Sequence, residues 1–162
     1  MDKYRDFEKL KQILPGDPDN MHPDLGFWLQ AIPESERNFE EQRNLLLMGM
    51  SWPIVCNGFC DLFYQAWTLT EYQTVISYLT ELGRTREKNL LEEAFGIYVR
   101  GNENVTQEEF SQLDPFGKGP EWDRFDEIGN EFELGNDAIN VAFEHFKLIA
   151  PAMYKQPALT DL

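Results

Sequence analysis

The sequence predicts an all-α, mostly helical protein, a single compact helical domain of about six to eight helices, on three observations. Apolar residues recur every three or four positions along most of the chain, and no stretch alternates apolar with polar residues as a strand would. Hydrophobic residues make up 42% and aromatic residues 14%, enough apolar area to offset the entropy of ordering the chain. At 162 residues the length is that of one domain, for which roughly 70% of the unfolded surface can be buried. The domain is expected to span 1–162, with an N-terminal helix and turn over 1–24, a core over 25–150 and a loose tail over 155–162.

The first helix is read over residues 3–14, where Tyr4, Phe7, Leu10 and Leu14 share a face and Pro15-Gly16-Asp17-Pro18 supplies the stop. A Pro-rich turn and a short apolar stretch, Leu25 to Ile32, follow. Glu34-Ser35-Glu36 then opens a helix to about Gly49, its acids suiting the positive end of the helix dipole. Trp52-Pro53 reads as a break, and Cys60 to Tyr64 as a short helix on the aromatic core. Thr70 is the expected N-cap of a helix whose face carries Tyr72, Val75, Ile76, Leu79 and Leu82, with Gly83 as its stop. In residues 86–99 Leu90, Leu91, Ala94, Phe95 and Tyr98 form the buried stripe. Arg86, Glu87, Lys88, Glu92 and Glu93 take the wet side, and Gly101 closes the helix. Thr106 and Glu109 have capping-box spacing before a short helix with Phe110 and Leu113. After a loop from Asp114 to Pro120, Trp122, Phe125, Ile128 and Phe132 return to helical spacing, which Gly129 weakens. Ile139, Ala142, Phe143, Phe146 and Ile149 outline a last helix, stopped by Pro151.

Lys and Arg number 14 against 29 Asp and Glu, a net charge of −15. Such a balance repels nucleic acid and anionic membranes, so direct contact with either is not expected. The acid is concentrated: residues 101–137 hold eleven Asp and Glu against two Lys and Arg. On a helix, Asp123, Glu127 and Glu131 form an i, i+4, i+8 row opposite the aromatic stripe, flanked by Asp126 and Glu133. Like charges at that spacing cost about 0.2–0.5 kcal/mol per pair. The plain reading of the row is a solvated face that keeps the protein soluble; the sharper one is a surface for a cationic partner.

No apolar run is long enough for a signal or membrane-spanning segment, which makes the cytoplasm the expected location. Cys56 and Cys60 fit neither a disulfide framework nor a CxxC redox pair and read as reduced thiols in or near the core. With His22 and His145 far apart, they do not make a zinc set. EF-hand, P-loop, GxGxxG and GxSxG patterns are missing, and no spacing singles out a Cys–His dyad or a catalytic carboxylate pair. The expectation is a binding protein rather than an enzyme, with no metal and no cofactor.

Between Trp52 and Gly83 the order Asn57-Gly58-Phe59, Phe63-Tyr64 and a helix ending Leu82-Gly83 resembles a family of acidic bacterial DNA-mimic proteins. The family's prototype has about the size of this chain, 19.0 kDa, and its relatives are grouped as a domain of unknown function. Those relatives usually carry Asn-Gly-Gly-Phe, one glycine more than here, and the similarity runs over residues 45–150. The resemblance implies a helical homodimer that presents carboxylates as a duplex presents phosphates. It would thereby occupy the DNA-binding face of a helix-turn-helix transcription regulator and block its DNA binding. The Asn-Gly-Phe motif itself reads as structural, Gly58 for a tight approach or positive φ and Phe59 and Phe63 for the core. The acids expected to form the mimic surface are Asp114, Glu121, Asp123, Asp126, Glu127, Glu131, Glu133 and Asp137, with Glu40 and Glu41 as a second patch. Trp28, Trp67 and Trp122 are the candidates for a dimer interface. An immunity protein that neutralises a basic nuclease toxin is the alternative use of the same surface. An enzyme with an unrecognised carboxylate site is the remaining rival.

Overall fold

Helices make up 73% of the computed structural model, and no strand occurs among the described residues. These are residues 3–16, 18–132 and 134–160, with the side chains of 18–23 and 134–136 also outside the description. The all-α expectation is met, with eight helices of seven residues or more among the described residues. The chain groups into two compact units, one formed by residues up to Gly49 together with those from Asp137 onward, the other by Met50–Asn136.

In the first unit, α1 (Phe7–Ile13) starts later than the apolar spacing suggests, because Asp6 caps it by accepting the Lys9 N–H at 3.0 Å. Tyr4 therefore precedes the helix and is exposed. Instead of a Pro-rich turn the chain forms α2 (Pro18–Ala31). Pro18 occupies its first position, where the missing N–H costs nothing. Glu34–Glu36 is a single 3-10 turn rather than a helix start. The start of α3 (Phe39–Gly49) is set by Asn38, whose Oδ1 accepts the Glu41 N–H at 2.9 Å while its own N–H donates to Glu41 Oε2 at 2.9 Å. The last long helix runs through Pro151 to Met153, one turn beyond its expected stop, and Lys155 leaves it at φ 53°. The tail from residue 155, expected to be loose, packs at least as far as a 3-10 turn at Pro157–Leu159 that buries Leu159. Phe7, Trp28, Phe146 and Tyr154 form the aromatic centre of this unit, with ring centroids 5.1–6.5 Å apart.

In the second unit, α4 (Ser51–Asn57) passes straight through Trp52-Pro53, read as a break. Pro53 falls in the first turn, where backbone N–H groups have no intrahelical partner to lose. Gly58, at φ 67°, turns the chain into α5 (Phe59–Asp61), which continues as a π-turn over Leu62–Ala66. The N-cap of α6 (Leu69–Glu81) is Thr68 rather than Thr70, because Thr68 closes a capping box with Glu71. Thr85–Tyr98 forms α7, in which Glu87 is buried near Arg84 and not on the wet side. The capping box read from Thr106 and Glu109 is present and starts α8 (Gln107–Ser111). Pro120–Glu131 forms α9, and the last long helix, Leu134–Met153, is α10.

Phe63 is the hub of this unit, with Phe59, Tyr72, Phe95, Tyr98 and Phe125 around it at centroid distances of 5.2–6.3 Å. Gly129, read as a weakness in its helix, lies within α9 facing the start of α5, where a Cβ would lie 3.8 Å from Gly58 Cα. That is an ordinary van der Waals distance, so the space beside Gly129 admits a methyl group, and Gly58 is required for its positive φ rather than for room.

Trp28 and Trp67 are buried in the cores and Trp122 is half-buried, so the first two cannot serve a dimer interface. The tryptophan on the surface is Trp52, 77% exposed. Both cysteines are unpaired; Cys56 is exposed rather than in the core, and Cys60 is half-buried. No described helix is long and apolar enough to cross a membrane.

Candidate functional site

The acid-rich helix α9 is built to present one face to solvent. Gly119, at φ 101°, supplies the turn into it, Pro120 fixes its first position, and Glu121 and Asp123 sit in the first turn where the dipole favours anions. Phe125, Ile128 and the capping Phe132 are buried beneath. Arg100 pins the segment before the helix: its Nη1 donates to Tyr98 O at 2.7 Å, its Nη2 to Asp114 O at 2.8 Å, and its guanidinium lies 5.1 Å from the centre of the Trp122 ring. What remains outward is Glu121, Asp123, Asp126, Glu127 and Glu131, all exposed, as is Asp114 in the preceding loop. Asp114 Oδ1 accepts the Phe116 N–H at 2.9 Å, which shapes that loop.

The predicted row of Asp123, Glu127 and Glu131 is therefore on one helix, but its charge is uneven. Arg124 reaches Glu131 Oε1 at 2.5 Å, Glu93 Oε1 at 2.8 Å and Glu127 Oε2 at 3.7 Å. Glu131 thus belongs to a paired cluster rather than to an open anionic surface. The carboxylates of Glu121, Asp123 and Asp126 have no hydrogen bond or ion pair among the described residues. Glu133 lies outside the described residues. Asp137 is exposed on α10, beside Asn140, whose Nδ2 donates to it at 3.2 Å, and belongs to the first unit.

The second predicted patch divides. Glu40 is half-buried, with Arg43 Nε at 2.7 Å and His145 Nε2 at 4.0 Å. Glu41 is fully buried and is not a surface acid. Its carboxylate receives Arg5 Nε and Nη2, each at 2.6 Å, the Asn38 N–H, and the Tyr154 hydroxyl. Burial, and then that bond to Glu41, push the Tyr154 phenol above its ordinary range. The spacing Asn38-x-x-Glu41, a capping-box pattern, is the sequence signal that separates Glu41 from its neighbour.

The Arg124 hydrogen bond holds the Glu93 carboxyl below its usual range. A depressed folded value means that the pair's contribution is complete above the ordinary glutamate value of about 4.3 and is lost as pH falls through the lower folded one. Because Glu93 is 45% exposed, the contribution is small. Arg124→Ala is expected to return the Glu93 midpoint to about 4.3 or above, read by a carboxyl-carbon NMR titration. An unchanged midpoint would show that Arg124 does not set it. Nothing in the sequence announces the partnership of Arg124 with Glu93, 31 residues away.

One side of α9 borders a cleft of about 420 Å³ that includes Cys60, Asp61 and Asp126 in its lining. The Cys60 thiol donates to Pro115 O at 3.4 Å, and burial, then Asp61, Asp126 and Asp114, push it up, so it stays protonated at neutral pH and is a poor nucleophile. Among the described residues no group of three or more His, Cys, Asp or Glu is placed to hold a metal ion.

A family model described as DMP19-like protein matches residues 36–151, from the turn before α3 to the last turns of α10, and so takes in the whole of α9 and its supports. The chain belongs to the DMP19-like family. That family is one of DNA-mimic proteins, and the match contains the Asn57-Gly58-Phe59 segment whose structural reading the buried Phe59 and the positive φ of Gly58 bear out. No curated protein and no solved structure matches the chain.

Proposed function

We propose that this protein is a non-enzymatic DNA mimic that sequesters a helix-turn-helix transcription regulator in the cytoplasm by occupying its DNA-binding face. The observation that carries the reading is the set of exposed carboxylates on and before α9, Asp114, Glu121, Asp123, Asp126 and Glu127, in a chain of a DNA-mimic family. A DNA-binding protein gains much of its affinity by neutralising phosphates with Lys and Arg, and carboxylates that stand where phosphates would stand compete for the same cations. Side chains three and four residues apart on α9 have Cβ atoms about 5–6 Å apart, close enough to act as a row. A homodimer would repeat that row about a two-fold axis, in keeping with the paired half-sites of helix-turn-helix dimers.

The test is capture of DNA-binding proteins from the source cell's lysate at low salt, followed by elution with duplex DNA. Release of a regulator by its own operator is the expected result. The variant Glu121→Gln/Asp123→Asn/Glu127→Gln is expected to bind that regulator about tenfold or more weakly, with the difference shrinking as salt shortens the Debye length below about 8 Å. A complex indifferent to salt and to DNA overturns the proposal, and capture of a nuclease that thereby loses its activity gives the immunity reading instead.

A further inference from the structure

Asn57 has no part in the acidic face, yet its place in the chain carries a chemistry of its own. It is the one asparagine of the sequence that glycine follows. Asparagine is among the chemically labile side chains, and it is most labile in that context. The backbone nitrogen of the next residue attacks Cγ to close a five-membered ring, and glycine has no Cβ to hinder the approach or to restrict φ. Asn57 is exposed, so water and hydroxide reach it.

Three features of the folded chain oppose that attack. The attacking nitrogen is that of Gly58, whose N–H is donated to Ile54 O at 3.0 Å and closes the last turn of α4. That nitrogen must lose its proton before it can attack, and a hydrogen-bonded amide loses its proton when the bond opens. Asn57 is the last residue of α4, and ring closure needs a ψ that a helical residue does not have. Its side chain is also tied, with Nδ2 donating to Asp61 Oδ2 at 2.6 Å. Phe59, 1% exposed, anchors the chain immediately after the turn.

We propose that Asn57 is a deamidation site that the native turn between α4 and α5 keeps silent and that each opening of the turn exposes. In the open chain Gly58 N bonds to Asn57 Cγ and the side-chain nitrogen leaves as ammonia. Water then adds to either carbonyl of the succinimide, breaking one of its two C–N bonds and giving aspartate or isoaspartate. The aspartate sets a second carboxylate where Nδ2 now serves Asp61. The isoaspartate runs the main chain through the former side chain, one carbon longer, so the bond from Gly58 N–H to Ile54 O and the seat of Phe59 lose their register. Both products are at odds with the native turn, and conversion is a one-way mark of molecules that have opened there. The site belongs to the scaffold and does not depend on the mimic reading.

The experiment holds the intact chain, with a thiol reductant, at one pH and temperature in native buffer and in guanidinium chloride, and follows residue 57 by peptide-mapping mass spectrometry. Asn57 is expected to convert about tenfold or more faster in the denaturant than in native buffer. In the denaturant it is also expected to run ahead of Asn102 and Asn130, exposed asparagines that glutamate follows. In native buffer the Gly58 amide hydrogen is expected to exchange slowly by NMR, protected by a similar factor. Equal conversion in the two solvents, an Asn57 no faster than Asn130 in denaturant, or slow native conversion beside a freely exchanging Gly58 N–H overturns the proposal. The converted protein, separated by anion exchange through its added negative charge and returned to native buffer, is expected to unfold at lower urea than the unmodified chain. An equal midpoint overturns the reading of conversion as a one-way mark.

Discussion

Replacing Glu41 by alanine is expected to lower the free energy of unfolding by about 3–5 kcal/mol, one of the two largest single-residue effects anticipated for this protein. Glu41 is buried, and its two oxygens receive both Nε and Nη2 of Arg5, the Asn38 N–H and the Tyr154 hydroxyl. Removing the carboxylate takes from the Arg5 guanidinium, whose side chain is 12% exposed, both of its bonds to Glu41. It also takes away half of the reciprocal cap that starts α3. Glu40→Ala, at the neighbouring position, removes a carboxylate that is 31% exposed and bonded to the buried Arg43, and is expected to cost less than Glu41→Ala because that carboxylate is itself partly solvated. Urea unfolding of the two variants measures the contrast, and similar midpoints would mean that Glu41 is solvated like its neighbour. The double variant Arg5→Ala/Glu41→Ala should recover part of the loss, because it removes the largely buried guanidinium together with the carboxylate that it bonds.

The contrast between Glu40 and Glu41 shows what could be read from the sequence. Fold class followed from helical spacing, and the short helix α8 from its capping box, since both depend on residues close in the chain. The errors have the same local scale. Prolines at 53 and 151 are expected to interrupt helices, yet Pro53 lies in a first turn, where its missing N–H would have had no intrahelical partner, and α10 continues through Pro151 to Met153. Asp123, Glu127 and Glu131 are placed correctly on one face, but the neutralisation of that face by Arg124 depends on Glu93, a residue of another helix. The lining of the cleft beside α9 comes from α5, from the loop holding Phe116 and from α9, which no spacing rule brings together.

The other large expected effect concerns the motif that marks the family rather than the charge that is proposed to carry its function. Phe59 is 1% exposed and stacks on Phe63 at 5.7 Å, with Phe132 at 5.1 Å and Phe125 at 6.2 Å meeting it edge-on. Phe59→Ala is expected to cost about 3–5 kcal/mol, the lost transfer energy plus the cavity left among rings that can close only partly around it. Phe59→Leu, which refills much of that volume, should cost markedly less. Phe125 and Phe132 are the inner anchors of α9, so Phe59, itself buried, supports the acidic helix from beneath. A variant of this kind should lose stability in a urea melt yet, at temperatures where it stays folded, capture the partner more nearly like wild type than Glu121→Gln/Asp123→Asn/Glu127→Gln does. The reverse outcome, partner binding lost with stability intact, would make the motif a contact surface and place recognition in the aromatic core region instead of on the carboxylates. Membership of a family identified through a packing motif establishes the scaffold, while the action proposed here depends on which acids that scaffold leaves unpaired.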